Sequence, residues 1–149
     1  MHKVLVVDDD RDLLEMVEMA LTKQGFVVST VNNGKSFFNK VDTFKPHIIL
    51  LDIFLGDADG RTLCHELKLT PAYQDIPVIL YTAGHVPGSS IAGSLANAFV
   101  NKPFEIKQLS EKIKSLLANV NTSPFLMRLF QTFKKLKESV GKKLNPGIP

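Results

Sequence analysis

Three apolar runs in this chain end in charged residues, and that pattern restricts the possible folds more than any other feature. Val4-Leu-Val-Val leads into Asp8-Asp9-Asp10, His47-Ile-Ile-Leu-Leu closes on Asp52, and Phe99-Val-Asn leads into Lys102-Pro103. Uninterrupted hydrophobic runs, as opposed to alternating ones, mark strands covered on both faces, the condition of a parallel sheet. Open parallel α/β sheets bind their ligands outside the carboxyl ends of the strands. Acids from two strands and a lysine from a third are therefore predicted to meet at one sheet edge.

Apolar segments at 3–7, 26–31, 47–51, 76–81 and 98–101 read as strands. Residues at helical spacing separate them: Leu13, Leu14, Val17 and Leu21; Phe37, Phe38 and Val41; Leu63 and Leu67; Ile106, Leu109, Ile113, Leu116 and Leu117. Strand and helix alternate through short turns such as Asn32-Asn33-Gly34 and Asp59-Gly60, which implies an α/β domain with helices on both faces of a parallel sheet. A five-stranded doubly wound domain is predicted over residues 1–118, with 119–149 as a linker and tail.

Five separate motifs, in this order, resemble the receiver domain of two-component response regulators. They are the acidic pair Asp8 and Asp9, Asp52 within Leu-Leu-Asp-Ile, the turn Asp59-Gly60, Thr82-Ala83 after Val78-Ile-Leu-Tyr, and Lys102-Pro103-Phe104. The resemblance implies a flavodoxin-like sheet of strand order 2-1-3-4-5, which periodicity alone does not give; a receiver protein is itself one of the general examples of that order. It also implies a phosphoacceptor switch in a phosphorelay. Asp52 would take a phosphoryl group from the phosphohistidine of a histidine kinase or histidine phosphotransfer protein, and the change would be read by an unknown downstream protein.

Several carboxylates this close would repel one another unless a cation joined them, and a hard divalent ion such as Mg²⁺ suits an all-oxygen set. By resemblance, Asp9, Asp52 and the backbone carbonyl of Phe54 are direct ligands, and Asp8 acts indirectly. Lys102, Thr82 and Ala83 are the expected phosphoryl-binding residues, and Thr82 and Phe99 the switch pair. Asp10 reads instead as the start of the first helix, where an acid suits the dipole. Singly these residues have plainer readings, Asp52 as a helix cap, Thr82 as a turn residue and Phe99 as core. Phe54 and Gly84 stand where, by resemblance, side chains influence the lifetime of the phosphoryl group.

One stretch departs from the family pattern. Between Thr82 and Lys102, Gly84, Gly88, Gly93 and Pro87 leave only Ile91 and Leu95 as spaced apolar anchors, a poor helix. The segment is also about two residues shorter than is usual in the family. An irregular or shortened fourth helix is predicted at residues 84–96, with altered signalling through that face.

Charge divides the chain in two. Residues 1–118 carry 12 Lys/Arg against 14 Asp/Glu, whereas 119–149 carry six bases and one acid. In that tail Leu126, Leu129, Phe130, Phe133, Leu136, Val140 and Leu144 recur on one helical face, with most bases off it. A C-terminal basic amphipathic helix is predicted. It could pack on its own domain or form a homodimer, dock in a partner's groove, or lie on an anionic membrane surface through residues 124–144.

Other classes are constrained as well. Thirty-one residues after the receiver are too few for a helix-turn-helix domain, so no specific DNA binding is expected and the chain reads as a stand-alone receiver. No apolar run approaches the roughly 20 residues that span a bilayer, and a soluble, cytoplasmic protein is expected. The single cysteine, Cys64, excludes an internal disulfide, and His2, His47, His65 and His85 lack metal-ligand spacing. No separate substrate turnover is expected. Two alternatives stand beside the switch: a receiver-fold module that signals without phosphorylation, and a haloacid-dehalogenase-like phosphohydrolase using Asp8 and Asp10. The second leaves Asp52 without a role and lacks a late acidic motif.

Overall fold

The computed structural model describes residues 1–120 and 124–143. The chain divides into two compact units, Met1–Leu117 and Ala118–Pro149. Strand and helix alternate up to that boundary, which falls in the last turn of α5: β1 Lys3–Val7, α1 Arg11–Lys23, β2 Val27–Val31, α2 Phe37–Phe44, β3 Ile48–Asp52, α3 Gly60–Leu69, β4 Val78–Thr82, α4 Gly88–Gly93, β5 Ala98–Asn101 and α5 Ile106–Val120. The five strands are parallel in the order β2-β1-β3-β4-β5, as the resemblance implied.

Strand periodicity sorts the core into two layers. Leu5, Val7, Ile49, Leu51, Val78 and Leu80 pack with Phe37, Val41, Leu63, Cys64 and Leu67 of α2 and α3. The alternate residues Val4, Val6, Ile48, Leu50, Ile79 and Tyr81 pack with Leu14, Val17 and Leu21 of α1 and Leu109, Ile113 and Leu117 of α5. The central strands β3 and β4 are buried along their whole length, which is why their sequences are uninterrupted apolar runs. The edge strands β2 and β5 are only half-buried, and Val27 is exposed.

Helix ends follow local chemistry. Asp10 caps α1, its carboxylate accepting from the amides of Asp12 and Leu13 at 3.0 and 3.2 Å, so this acid is committed to the helix start as predicted. Asp59 caps α3 by accepting from the Arg61 amide at 2.9 Å. The next residue, Gly60, passes so close to the Asp52 carbonyl that a Cβ there would overlap it. That close approach explains the Asp59-Gly60 pair read from the sequence. The fourth helix is the shortened element expected, six residues with none buried. The predicted tail helix is present as α6, Pro124–Lys143; Leu144, placed on its face by the sequence pattern, lies outside the described residues.

Candidate functional site

β1, β3 and β4 carry their chemical groups to one edge because they are parallel and in register: Val7 lies opposite Leu51, and Asp52 opposite Tyr81. Asp8 and Asp52 are buried, whereas Asp9, facing out of the β1–α1 turn, is exposed. Each offers a carboxylate oxygen within 4.8 Å of the others. The predicted acidic meeting point therefore exists, and the loop after β5 brings the predicted lysine to it.

Lys102 sits closer to Asp8 than to Asp52. Its Nζ donates to Asp8 Oδ2 at 2.7 Å and to Asp52 Oδ2 at 3.4 Å. The other Asp8 oxygen accepts from the Asp10 amide at 2.8 Å, so this fully buried carboxylate is held from two sides. Asp52 is compensated less well. Burial, with the Asp8 charge adding to it, pushes its carboxyl from 3.8 up to about 6, against the pull of Lys102 and of a hydrogen bond from the Phe54 amide. This is the arrangement that an added cation relieves, since it would favour the charged form of the whole set.

Thr82 ends β4, buried, with its hydroxyl accepting from the Gly84 amide at 3.2 Å. Its carbonyl accepts from the Lys102 amide at 2.9 Å, which ties the end of β4 to the segment bearing the lysine. Ala83, next along, is exposed. Phe99 lies opposite Leu80 while Asn101 lies opposite Thr82, so Phe99 stands two residues back from the edge, half-buried against the layer that includes Leu80. With Val100, Phe104, Gln108, Leu109 and Lys112 it lines a cavity of about 180 Å³. Phe54 is 51% exposed at the site's rim, and its ring covers Gly84: a Cβ at Gly84 would come within 3.0 Å of the Phe54 ring.

Two participants escaped the sequence reading. Tyr81 lies beneath the lysine, its ring centroid 4.7 Å from Lys102 Nζ and its hydroxyl donating to the Val7 carbonyl at 3.3 Å. Burial, reinforced by the Asp8 charge, raises its phenol well above the ordinary range and keeps it neutral. The available signal was one phenol in an otherwise aliphatic strand. Arg61 is the other. It pairs with Asp59, donates to Ser90 Oγ of α4 at 3.2 Å and lies 5.9 Å from the Phe54 ring centroid, so it joins α3, α4 and the rim of the acidic site.

The family model of the response regulator receiver domain matches residues 4–114. The chain is 36% identical over 116 residues to the response regulator PleD of Caulobacter vibrioides, covering 76% of this chain and 26% of that one. It is 31% identical over 118 residues to the transcriptional regulatory protein GltR of Pseudomonas aeruginosa, covering 78% and 49%. The chain spans about half the length of the curated relatives it first matches. Among solved structures, a CheY-like receiver domain protein from Methanospirillum hungatei superposes with a TM-score of 0.75 at 25% identity, over 82% of this chain and 98% of that one. A two-component response regulator from Clostridium difficile gives 0.74 at 25% identity, over 81% and 99%. Family match, strand order and acidic cluster agree, and the chain belongs to the response regulator receiver domain family.

Proposed function

We propose that the chain is a phosphoacceptor switch in a two-component phosphorelay, and that Asp52 is the residue phosphorylated. The observation that carries this is the buried Asp52 carboxylate within reach of Asp8, Asp9 and the Lys102 ammonium at the carboxyl edge of the sheet. Attack by Asp52 on a phosphohistidine forms the aspartyl O–P bond and breaks the P–N bond, whose electron pair leaves with the imidazole. The transfer needs positioning and charge neutralisation more than covalent assistance.

The donor set fits Mg²⁺: three clustered carboxylates, one of them exposed, with Lys102 the one ammonium paired to them among the described residues. Asp9, Asp52 and the Phe54 carbonyl are the residues that would hold it, with Asp8 acting indirectly, and when bound it supplies positive charge for the phosphoryl oxygens. Lys102 is placed to follow the charge from Asp52 to a phosphoryl oxygen while keeping its bond to Asp8. The Thr82 hydroxyl and the Ala83 amide bind further phosphoryl oxygens, and inward movement of Thr82 leaves room that Phe99 fills. This is a single-turnover acceptor and no separate enzyme.

The receiver occupies residues 1–118 and residues 119–149 form a linker and basic helix. The phosphodonor is a histidine kinase or histidine phosphotransfer protein in the cytoplasm, and a downstream protein reads the switch; α6 adds a contact surface of its own. Among the described residues no helix is long and apolar enough to cross a membrane. Intact mass after incubation with Mg²⁺ and a small acyl-phosphate donor tests the reading: one phosphoryl adduct on wild type and none on Asp52→Asn is expected. An adduct of equal yield on Asp52→Asn overturns it.

A further inference from the structure

In α6, Leu129, Phe130, Phe133, Leu136 and Val140 are all exposed, Phe130 at 70% and Phe133 at 63%. At 3.6 residues per turn they fall within a sector of about 120° of the helix surface. Lys137 falls inside the edge of that sector beside Phe130, Lys134 just beyond it, and Lys135 on the far side. Arg128, Lys142 and Lys143 continue the basic series along the chain, and Glu138 is the one acid in residues 119–149.

We propose that α6 lies along an anionic lipid surface, with its phenylalanine-rich face at the headgroup boundary and its lysines among the headgroups. Charge complementarity selects this occupant. A second copy of α6 would bring another predominantly basic strip against the first, with Glu138 as the single acid of each copy against Lys134, Lys135 and Lys137. A closed protein seam would also have to take up Lys137 within the apolar sector. At a lipid boundary the same lysine lays its methylene stem along the apolar layer and keeps its ammonium at the headgroups. The helix is long enough but far too charged to cross, so its moment places it in the plane of the surface. This inference does not depend on which residue is phosphorylated.

The test uses the full chain. Because it contains no Trp, Phe133→Trp introduces a single indole on the apolar face. With vesicles of mixed phosphatidylglycerol and phosphatidylcholine at low salt, the emission is expected to shift to the blue and the protein to sediment with the lipid. Phosphatidylcholine alone or high salt should abolish both. Lys134→Gln, Lys135→Gln and Lys137→Gln together are expected to weaken binding about a hundredfold, and Phe130→Ser with Phe133→Ser to remove it, the acidic site still binding Mg²⁺. No sedimentation with anionic vesicles at low salt overturns the proposal. So does a dimer in solution that Phe130→Ser and Phe133→Ser dissociate without any lipid association, which would assign the face to a second copy.

Discussion

Lys102 serves two carboxylates of unequal standing, and the inequality sets what single substitutions do. Asp8 is fully buried and takes the shorter bond, so Lys102→Met leaves a buried charge uncompensated. A loss of about 3 kcal/mol is expected in urea denaturation, and less in an Asp8→Asn background, where the orphaned charge is gone. Asp52 behaves in the opposite way. Its folded-state value of about 6 lies above the ordinary 3.8, so the native protein holds a proton that the unfolded chain has released. Stability from this group is complete below pH 3.8 and is lost as the pH rises through about 6. Asp52→Asn should therefore stabilise the metal-free protein above pH 6, by at most about 3 kcal/mol, and the gain should vanish near pH 4 in denaturation series at several pH values. These carboxylates and the lysine were legible in the sequence because each follows or closes an apolar run. Their pairing was not, since the Asp8–Lys102 bond joins residues 94 apart and is fixed only by strand order. Tyr81 was hidden for the same reason: an aromatic residue in an apolar strand reads as core until the lysine is seen above its ring.

The elements were legible wherever burial imposed a period. Strands β3 and β4 match their apolar runs to within two residues because nothing polar interrupts either face. α4 was harder. Its glycines and Pro87 predicted a weak helix, and the structure keeps a single short one with no buried residue, held by bonds such as Arg61 to Ser90 that no periodicity displays. A Cβ added at Gly93 would meet nothing within 4 Å, and the backbone there is not left-handed, so Gly93→Ala should extend helical order. A gain of about 0.5–1 kcal/mol in thermal unfolding is expected, with slower amide exchange at residues 88–94. Beneath this segment Cys64 of α3 is fully buried, and burial pushes its thiol up to about 11. Native protein at neutral pH should react with a thiol-specific maleimide far more slowly than the unfolded chain, in a timed mass assay.

At the scale of the whole molecule, the sequence already separates an acid-leaning receiver from a basic helix, and the structure adds where the acids gather. Concentrating three carboxylates around one lysine costs stability that a divalent cation restores. Mg²⁺ at a hundred times its Kd should raise stability by about 3 kcal/mol, seen as a higher Tm, and Asp9→Asn should remove most of that response. Whether the same edge carries the phosphoryl group is decided most directly by trapping it. After incubation with Mg²⁺ and an acyl-phosphate donor, borohydride reduces an aspartyl phosphate to homoserine, and peptide mass spectrometry locates the change. Homoserine at position 52 is the expected result; homoserine at Asp8 or Asp9 with position 52 intact would contradict the assignment.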